Sequence, residues 1–228
     1  MNRSYRLLMI VLVLFVSAGF LFARSIERET FVEPVDNAKE AEITFEMGLC
    51  EMDLSPGKAD ELIHVEAMYD ADHFKPDFRV KRDTDKVYVY LNPRGDDKSD
   101  MDNIDSDDHY YDVKLSPEIP MNLNFEIGLG EHDMDLSGLK IERIHIESGL
   151  AETRLKLDKA NPITAKSIDV ETGLGEFYGE GLGYLRFERF DLECGLGEAS
   201  VDFTGFEGDG EVNLSVGLGD LEIILPKG

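Results

Sequence analysis

The sequence has no tryptophan and only two cysteines, Cys50 and Cys194, and it is short of basic residues: 23 Lys and Arg stand against 48 Asp and Glu. Each shortage excludes something. A formal net charge of −25 repels nucleic acid, whose binding depends on neutralising phosphates, and disfavours anionic lipid headgroups. The five histidines show no zinc-like spacing with one another or with cysteine. No serine, cysteine or threonine sits in a nucleophile-elbow context, and GLGYLRFE lacks the strand-to-helix setting of a phosphate-binding loop. Without tryptophan, Tyr110, Tyr111, Tyr178 and Tyr184 are the remaining candidates for stacking on a sugar. The two cysteines lie in distant repeat words, so they read as small core residues rather than a disulfide.

Beyond residue 23 no stretch is apolar enough to span a bilayer. Before it, Arg3 and Arg6 precede an uncharged run from Leu7 to Ala23, and Ala18 and Ala23 are possible cleavage points. That pattern is a signal peptide or, if uncleaved, a membrane anchor. The sequence thus predicts an exported protein of the periplasm or cell surface, touching a membrane only through residues 1–23 if they are retained.

What is present is a recurring word, apolar-Glu-x-Gly-Leu-small-acid: FEMGLCE, FEIGLGE, IESGLAE, VETGLGE, LECGLGE and SVGLGD. Its glycines are Gly48, Gly128, Gly149, Gly173, Gly195 and Gly217, the last five spaced by 21, 24, 22 and 22 residues. Such a period marks a stacked-repeat architecture. Counting from the glycine, positions −5, −3, −1 and +1 are apolar or small, and +1 is always leucine. Period-two alternation predicts a strand with one buried face, the leucines included. A second apolar series at +4, +6 and +8 is out of step, so a kink must fall between the two halves. The fold class predicted is all-β: a stacked-repeat β-solenoid, parallel β-helix-like, with an N-terminal signal or anchor helix.

The first two words are 80 residues apart. ELIHVEAMYD, DFRVKRD, KVYVYL and YDVKLS read as strands, with DTDK as a hairpin turn, and form an antiparallel hairpin cap on the stack. The domain reading is 1–23 signal peptide or anchor, 24–40 linker, 41–115 first repeat with the inserted cap, and 116–228 stacked β-repeats.

The run KLSPEIPMNLNFEIGLGEHDMDL (residues 114–136), the glycine words after it and the opening FEMGLCEMDLSPGKADELIHVEAMYDADHFKPDFRV together resemble the toast-rack family of bacterial envelope-associated β proteins. The resemblance covers roughly residues 41 to 228. It implies stacked β repeats and an exported or membrane-linked setting, and it brings no catalytic residues.

Two rows of acids accompany the words. Position −2 holds Glu46, Glu126, Glu147, Glu171 and Glu193, then Ser215. Position +3 holds Glu51, Glu131, Glu152, Glu176, Glu198 and Asp220. Stacked about 4.8 Å apart, neighbouring carboxylates repel by roughly 1 to 3 kcal/mol depending on the local dielectric. Backbone amides, nearby cations or a bound ion must offset this. Calcium accepts six to eight loosely arranged oxygens, so Glu126, Glu131, Glu147, Glu152, Glu171, Glu176, Glu193, Glu198 and Asp220 are the candidate metal ligands. The Asp-rich loop from Gly95 to His109 lacks the glycine and glutamate of an EF-hand loop and reads as a solvated acidic loop. The leading functional reading is a non-enzymatic envelope scaffold that binds another envelope protein or itself and needs no cofactor. The alternatives are a calcium-binding surface module and a carbohydrate-active enzyme.

Overall fold

The computed structural model describes residues 25–95 and 109–226. The expected signal or anchor helix and most of the Asp-rich loop lie outside the described residues. The strands are β1 (Ile26–Pro34), β2 (Glu40–Leu49), β3 (Glu51–Pro56), β4 (Glu61–Asp70), β5 (Phe74–Arg82), β6 (Lys86–Gly95), β7 (Tyr110–Leu115), β8 (Met121–Leu129), β9 (Glu131–Asp135), β10 (Ile141–Ser148), β11 (Glu152–Lys156), β12 (Ser167–Thr172), β13 (Glu176–Glu180), β14 (Arg189–Asp202) and β15 (Glu211–Ile224). A 3₁₀ turn at Leu182–Leu185 is the helical element described. The protein is all-β with almost no helix, and its strands form one large, nearly closed, barrel-like sheet.

The glycine words set the pairing. β2, β8, β10, β12, β14 and β15 hold the first half of each word and pair in parallel, one with the next. β3, β9, β11 and β13 hold the second half and form a second parallel ladder, which β14 joins through Glu198 to Val201. β14 and β15 run unbroken through the corner, 14 residues each, and so fuse the two ladders into one sheet. Equivalent positions lie in register, as in Phe45↔Phe125 and Ile146↔Val170. The −5 and −3 side chains of the first five words are buried between the two ladders. Phe45 and Phe125 stack there with ring centroids 4.9 Å apart. Burying each such side chain contributes about 1.5–3 kcal/mol, and register is strongly fixed because a one-residue slip would turn the whole apolar set outward.

The kink differs from the sequence expectation. The −1 residues Met47, Ile127, Ser148, Thr172 and Cys194 are buried, yet the next buried positions are +2, at Cys50 and Ala151. The odd step therefore falls from −1 to +2, across the glycine and the leucine. Leu129, Leu150, Leu174, Leu196 and Leu218 point outward, 43 to 71% exposed. The corner has room inside only for the small +2 residue, and the leucine before it is turned to solvent.

The inserted segment also differs. A single hairpin cap was expected, and the structure has a cap on each ladder. β5 pairs antiparallel with β6, and β6 extends the first ladder in parallel with β2. β4 pairs antiparallel with β7 and with β1, and β7 extends the second ladder in parallel with β3. Each ladder exposes an edge of unpaired backbone, so each needs its own cover. Residues 26–34, expected within a linker, form the edge strand β1. Phe31 of β1 stacks on Phe78 of β5 at 5.0 Å and so ties the two caps together.

His132 is fully buried on β9, with both ring nitrogens lacking a hydrogen-bond partner. Burial pushes its pKa down to about 4. Unfolded, the ring takes a proton near pH 6.5; folded, it does so only near 4. The neutral ring's stability contribution is therefore complete above the unfolded value and is lost as pH falls from 6.5 to 4. Its register neighbour on β3 is Met52. His132→Met is expected to raise stability by about 1–2 kcal/mol at pH 7, by removing an unsatisfied buried polar group. The gain should widen at pH 5, and denaturant melts of both proteins at the two pH values measure it.

Candidate groove of glutamate, glycine and leucine

Where the first ladder meets the corner, the −2 glutamates and the glycines of successive words line a long open groove of about 830 Å³. Glu46, Glu126, Glu147, Glu171 and Glu193 form one wall, in register from strand to strand. Gly48, Gly128, Gly149, Gly173, Gly195 and Gly217 form the floor. The leucine of each word follows its glycine directly, so the exposed leucines stand along the rim beyond the floor. In this corner the Leu150, Leu174 and Leu196 amides donate to the carbonyls of Gly128, Gly149 and Gly173 at 2.8–2.9 Å. That ladder holds the rim rigid.

The glycines are there because the rungs approach closely. A Cβ on Gly128 would lie 2.3 Å from the Gly48 carbonyl oxygen, and one on Gly130 would lie 1.9 Å from that of Cys50. Gly130 also has φ +127°, outside the range L side chains favour.

The two acidic rows are not brought together. The groove takes in the −2 row, while Glu131, Glu152, Glu176, Glu198 and Asp220 lie past the corner on the second ladder, in register with one another. The rows also differ in what offsets their charge. On the second ladder Arg154 reaches Glu152, Glu131 at 3.7 Å and Asp133 at 3.4 Å, and Tyr178 donates to Glu176 at 2.6 Å. That bond raises the Tyr178 phenol to about 12. In the groove, Glu46 accepts from Tyr90 and from Asn92, and His145 lies 3.0 Å from Glu147. The side chains of Glu126, Glu171 and Glu193 have no hydrogen-bond or ion-pair partner among the described residues. Among those residues no group of three or more His, Cys, Asp or Glu side chains is arranged to hold a metal ion.

The other candidates separate cleanly. Cys50 and Cys194 are buried free thiols. Burial pushes Cys50 up to about 12 and also raises Cys194, so neither is a thiolate at neutral pH. Tyr111 is buried. Tyr110 and Tyr178 line a smaller depression on the second ladder around Arg154, and the Tyr110 hydroxyl donates to Asp53 at 2.6 Å. The exposed leucines were missed at the sequence level, since their hydrophobicity assigns them to the core.

The fold has solved counterparts. It is similar to a proposed cell adhesion protein from Clostridium sporogenes, with 18% identity, 89% of this chain and 100% of that chain covered, and a TM-score of 0.64. A proposed adhesin from Bacteroides fragilis is 13% identical over 87% of this chain and 97% of its own, at a TM-score of 0.29. A proposed lipid binding protein from Parabacteroides distasonis is 12% identical over 89% and 97%, at 0.27. Scores that low carry no argument. No curated protein matches the sequence. Among the described residues no helix is long and apolar enough to cross a membrane. The profile of the N-terminal domain of toast_rack, DUF2154, matches residues 23–178, which is 156 of the 228 residues and stops short of the words at Gly195 and Gly217. Matched over more than half its length by that profile, the chain belongs to the toast-rack family.

Proposed function

We propose that this protein is a non-enzymatic, exported interaction module of the bacterial cell envelope, and that the groove with its leucine rim is the contact surface. We read the in-register sheet as a stacked-repeat β-solenoid whose caps sit at one end. The observation that carries the functional reading is the leucine ridge. Monomeric soluble proteins rarely expose a contiguous apolar patch without a use for it. Here five leucines are exposed in line, beside a wall of five glutamates, three of them without a described side-chain partner. Such a surface suits a partner segment presenting cationic side chains next to apolar ones. The likeness to a proposed cell adhesion protein supports a surface setting and an interaction role. The missing nucleophile and zinc spacings, and the raised thiol pKa values, support a task without chemistry.

Calcium is a second reading, favoured by one observation: Glu126, Glu171 and Glu193 stand in register without a described counter-charge. One experiment addresses both. The chain is coupled to a resin and compared with Leu150→Ser/Leu174→Ser/Leu196→Ser for retention of envelope proteins, with calcium and with chelator. Each exposed leucine changes stability by no more than about 0.5 kcal/mol when replaced, so the triple variant stays folded. We expect retention to fall about tenfold in the variant, a loss of about 1.4 kcal/mol. Equal retention by both proteins removes the groove as the contact surface. Retention lost in chelator, with a melting temperature raised by calcium, selects the second reading.

A further inference from the structure

The two ends of the sheet are finished differently. At one end β1, β4, β5 and β6 cover the ladders. At the other, β15 lies against β14 and has no further neighbour among the described residues. Its core-facing side chains repeat those of β14 rung for rung, but they are open to solvent. Val212 is 40% exposed where Phe190 is 0%, and Ile223 is 46% where Val201 is 0%; just past the strand, Leu225 is 69% exposed. With Phe187, Phe203 and Phe206 they line an open apolar pocket of about 500 Å³. A long, apolar, unprotected edge is a template for pairing with another chain. The edge strand β5 carries the usual protection, Pro76 with Lys75, Arg79, Lys81 and Arg82. β15 has no proline and no basic residue within its 14 residues.

We propose that β15 pairs antiparallel with β15 of a second copy of this chain, about a two-fold axis at Gly217 and Leu218, closing the open end. This edge adjoins the last rung of the groove, where Ser215 and Gly217 line it, and leaves the rungs from Glu46 to Gly195 uncovered.

Three features of β15 fit that one register. The first is the backbone. Along a strand, N–H and C=O groups of alternate residues point to opposite sides. The Glu211 amide donates to Glu188, and the Ile224 carbonyl accepts from Phe203. The groups of Val212 and Leu214 therefore face away from β14, as do those of Leu221 and Ile223. The two-fold register sets Val212 opposite Ile223 and Leu214 opposite Leu221, so outward groups meet outward groups.

The second feature is the apolar face. Those four side chains point to the core side of the sheet, so pairing joins the two interiors into one. The bend at Gly217 falls on the axis, and each half of β15 meets the opposite half of its copy. The corner is thereby matched as well.

The third feature is charge. A chain with a net charge of −25 repels its own copy unless the contact is spared. In this register Glu211 faces Ile224, Asp220 faces Ser215 and Glu222 faces Asn213, so every acid of β15 meets an uncharged residue. That depends on Ser215, which stands where the five other words have glutamate, and on Asn213, whose β14 counterpart is Asp191. The last word departs from the repeat at the positions where repetition would set acid against acid across the axis.

The test is the mass of the whole chain by light scattering, from micromolar to sub-millimolar concentration. The mass of two chains is expected, rising with concentration. Val212→Pro removes no bond to β14, because the Val212 amide faces away, and is expected to give a folded monomer whose melt no longer depends on protein concentration. Ser215→Glu restores the residue of the other words and puts two like-charge pairs across the axis. It should weaken association about tenfold, and adding Asp220→Lys should restore it. A monomer throughout the range overturns the proposal. So does a dimer indifferent to Ser215→Glu, or an open series of larger species, which would mean β15 meets a different edge. If Val212→Pro unfolds, the Ser215 and Asp220 pair still decides.

Discussion

Replacing Asn161 by leucine is expected to lower the melting temperature by about 10 °C, the largest effect foreseen for any polar residue here. Asn161 is completely buried. Its Oδ1 accepts from the Ile141 amide at 3.1 Å and the Ile163 amide at 3.2 Å. Its Nδ2 donates to the Ile141 carbonyl at 2.7 Å and the Leu185 carbonyl at 3.1 Å. Ile141 lies about one repeat before it and Leu185 about one repeat after, so one amide joins the start of β10, its own loop and the 3₁₀ turn. Leucine would fill a similar volume and leave those backbone groups without partners. An unsatisfied buried group costs about 1–3 kcal/mol, and partial rearrangement brings the total to about 3–5 kcal/mol. For a domain of this size each kcal/mol is worth about 2–4 °C. Asn161→Asp should be nearly as damaging, since it keeps the acceptor, loses both donors and buries a charge. Calorimetry measures it; a shift under about 3 °C for Asn161→Leu would show that the loops hold one another without the amide.

The second large effect is expected from adding one carbon. A Cβ at Gly175 would lie 2.1 Å from the Ala151 carbonyl oxygen, and that oxygen already accepts a hydrogen bond from the Glu176 amide at 3.1 Å. Gly175→Ala therefore both overlaps a backbone atom and pushes apart the bond that holds two rungs together. Neither atom sits on a flexible side chain, so the rungs must separate, at a cost of about 3 kcal/mol or more. Gly48→Ala is the matched control. That glycine is exposed, and its added carbon meets nothing within 4 Å, so stability should move by less than about 0.5 kcal/mol. Equal losses in the two variants would mean that rung spacing does not explain the glycines, since chain entropy alone makes Gly→Ala stabilising.

Much of the fold was legible because it is written in parity. The −5 and −3 rows alternate cleanly and land in the interior, as at Ile43, Phe45, Leu123 and Phe125. The DTDK turn joins β5 to β6 as read. The kink was not legible in the same way. Positions −1 and +1 share a parity, so the sequence shows that an odd step occurs and not where. Side-chain hydrophobicity then favours the wrong answer, because leucine looks more like core than Cys50 or Ala151 does. The corner decides otherwise, admitting only a small residue. The caps were half legible. Strands were evident, but which ladder each covers depends on pairing between residues far apart in the chain, as in Glu40↔Lys86 and Glu51↔Tyr110, and a charged edge strand such as IERETFVEP does not show the apolar alternation of a half-buried one. Asn161 sits in a stretch, DKANP, that spells a turn and gives no hint of four hydrogen bonds. Of the candidate site, the in-register acids were visible from the repeat. That the corner separates the two rows was not.

The ridge also imposes a vernier on whatever lies along it. Its leucines recur at the strand spacing, about 4.8 Å. An extended ligand presents same-side groups about every 6.7 Å, and so slips out of phase with the rim within two or three rungs. An α-helix advances 5.4 Å per turn and stays within reach of the same phase for three or four. Pitch alone thus favours a short helix over a long thread as the matching shape.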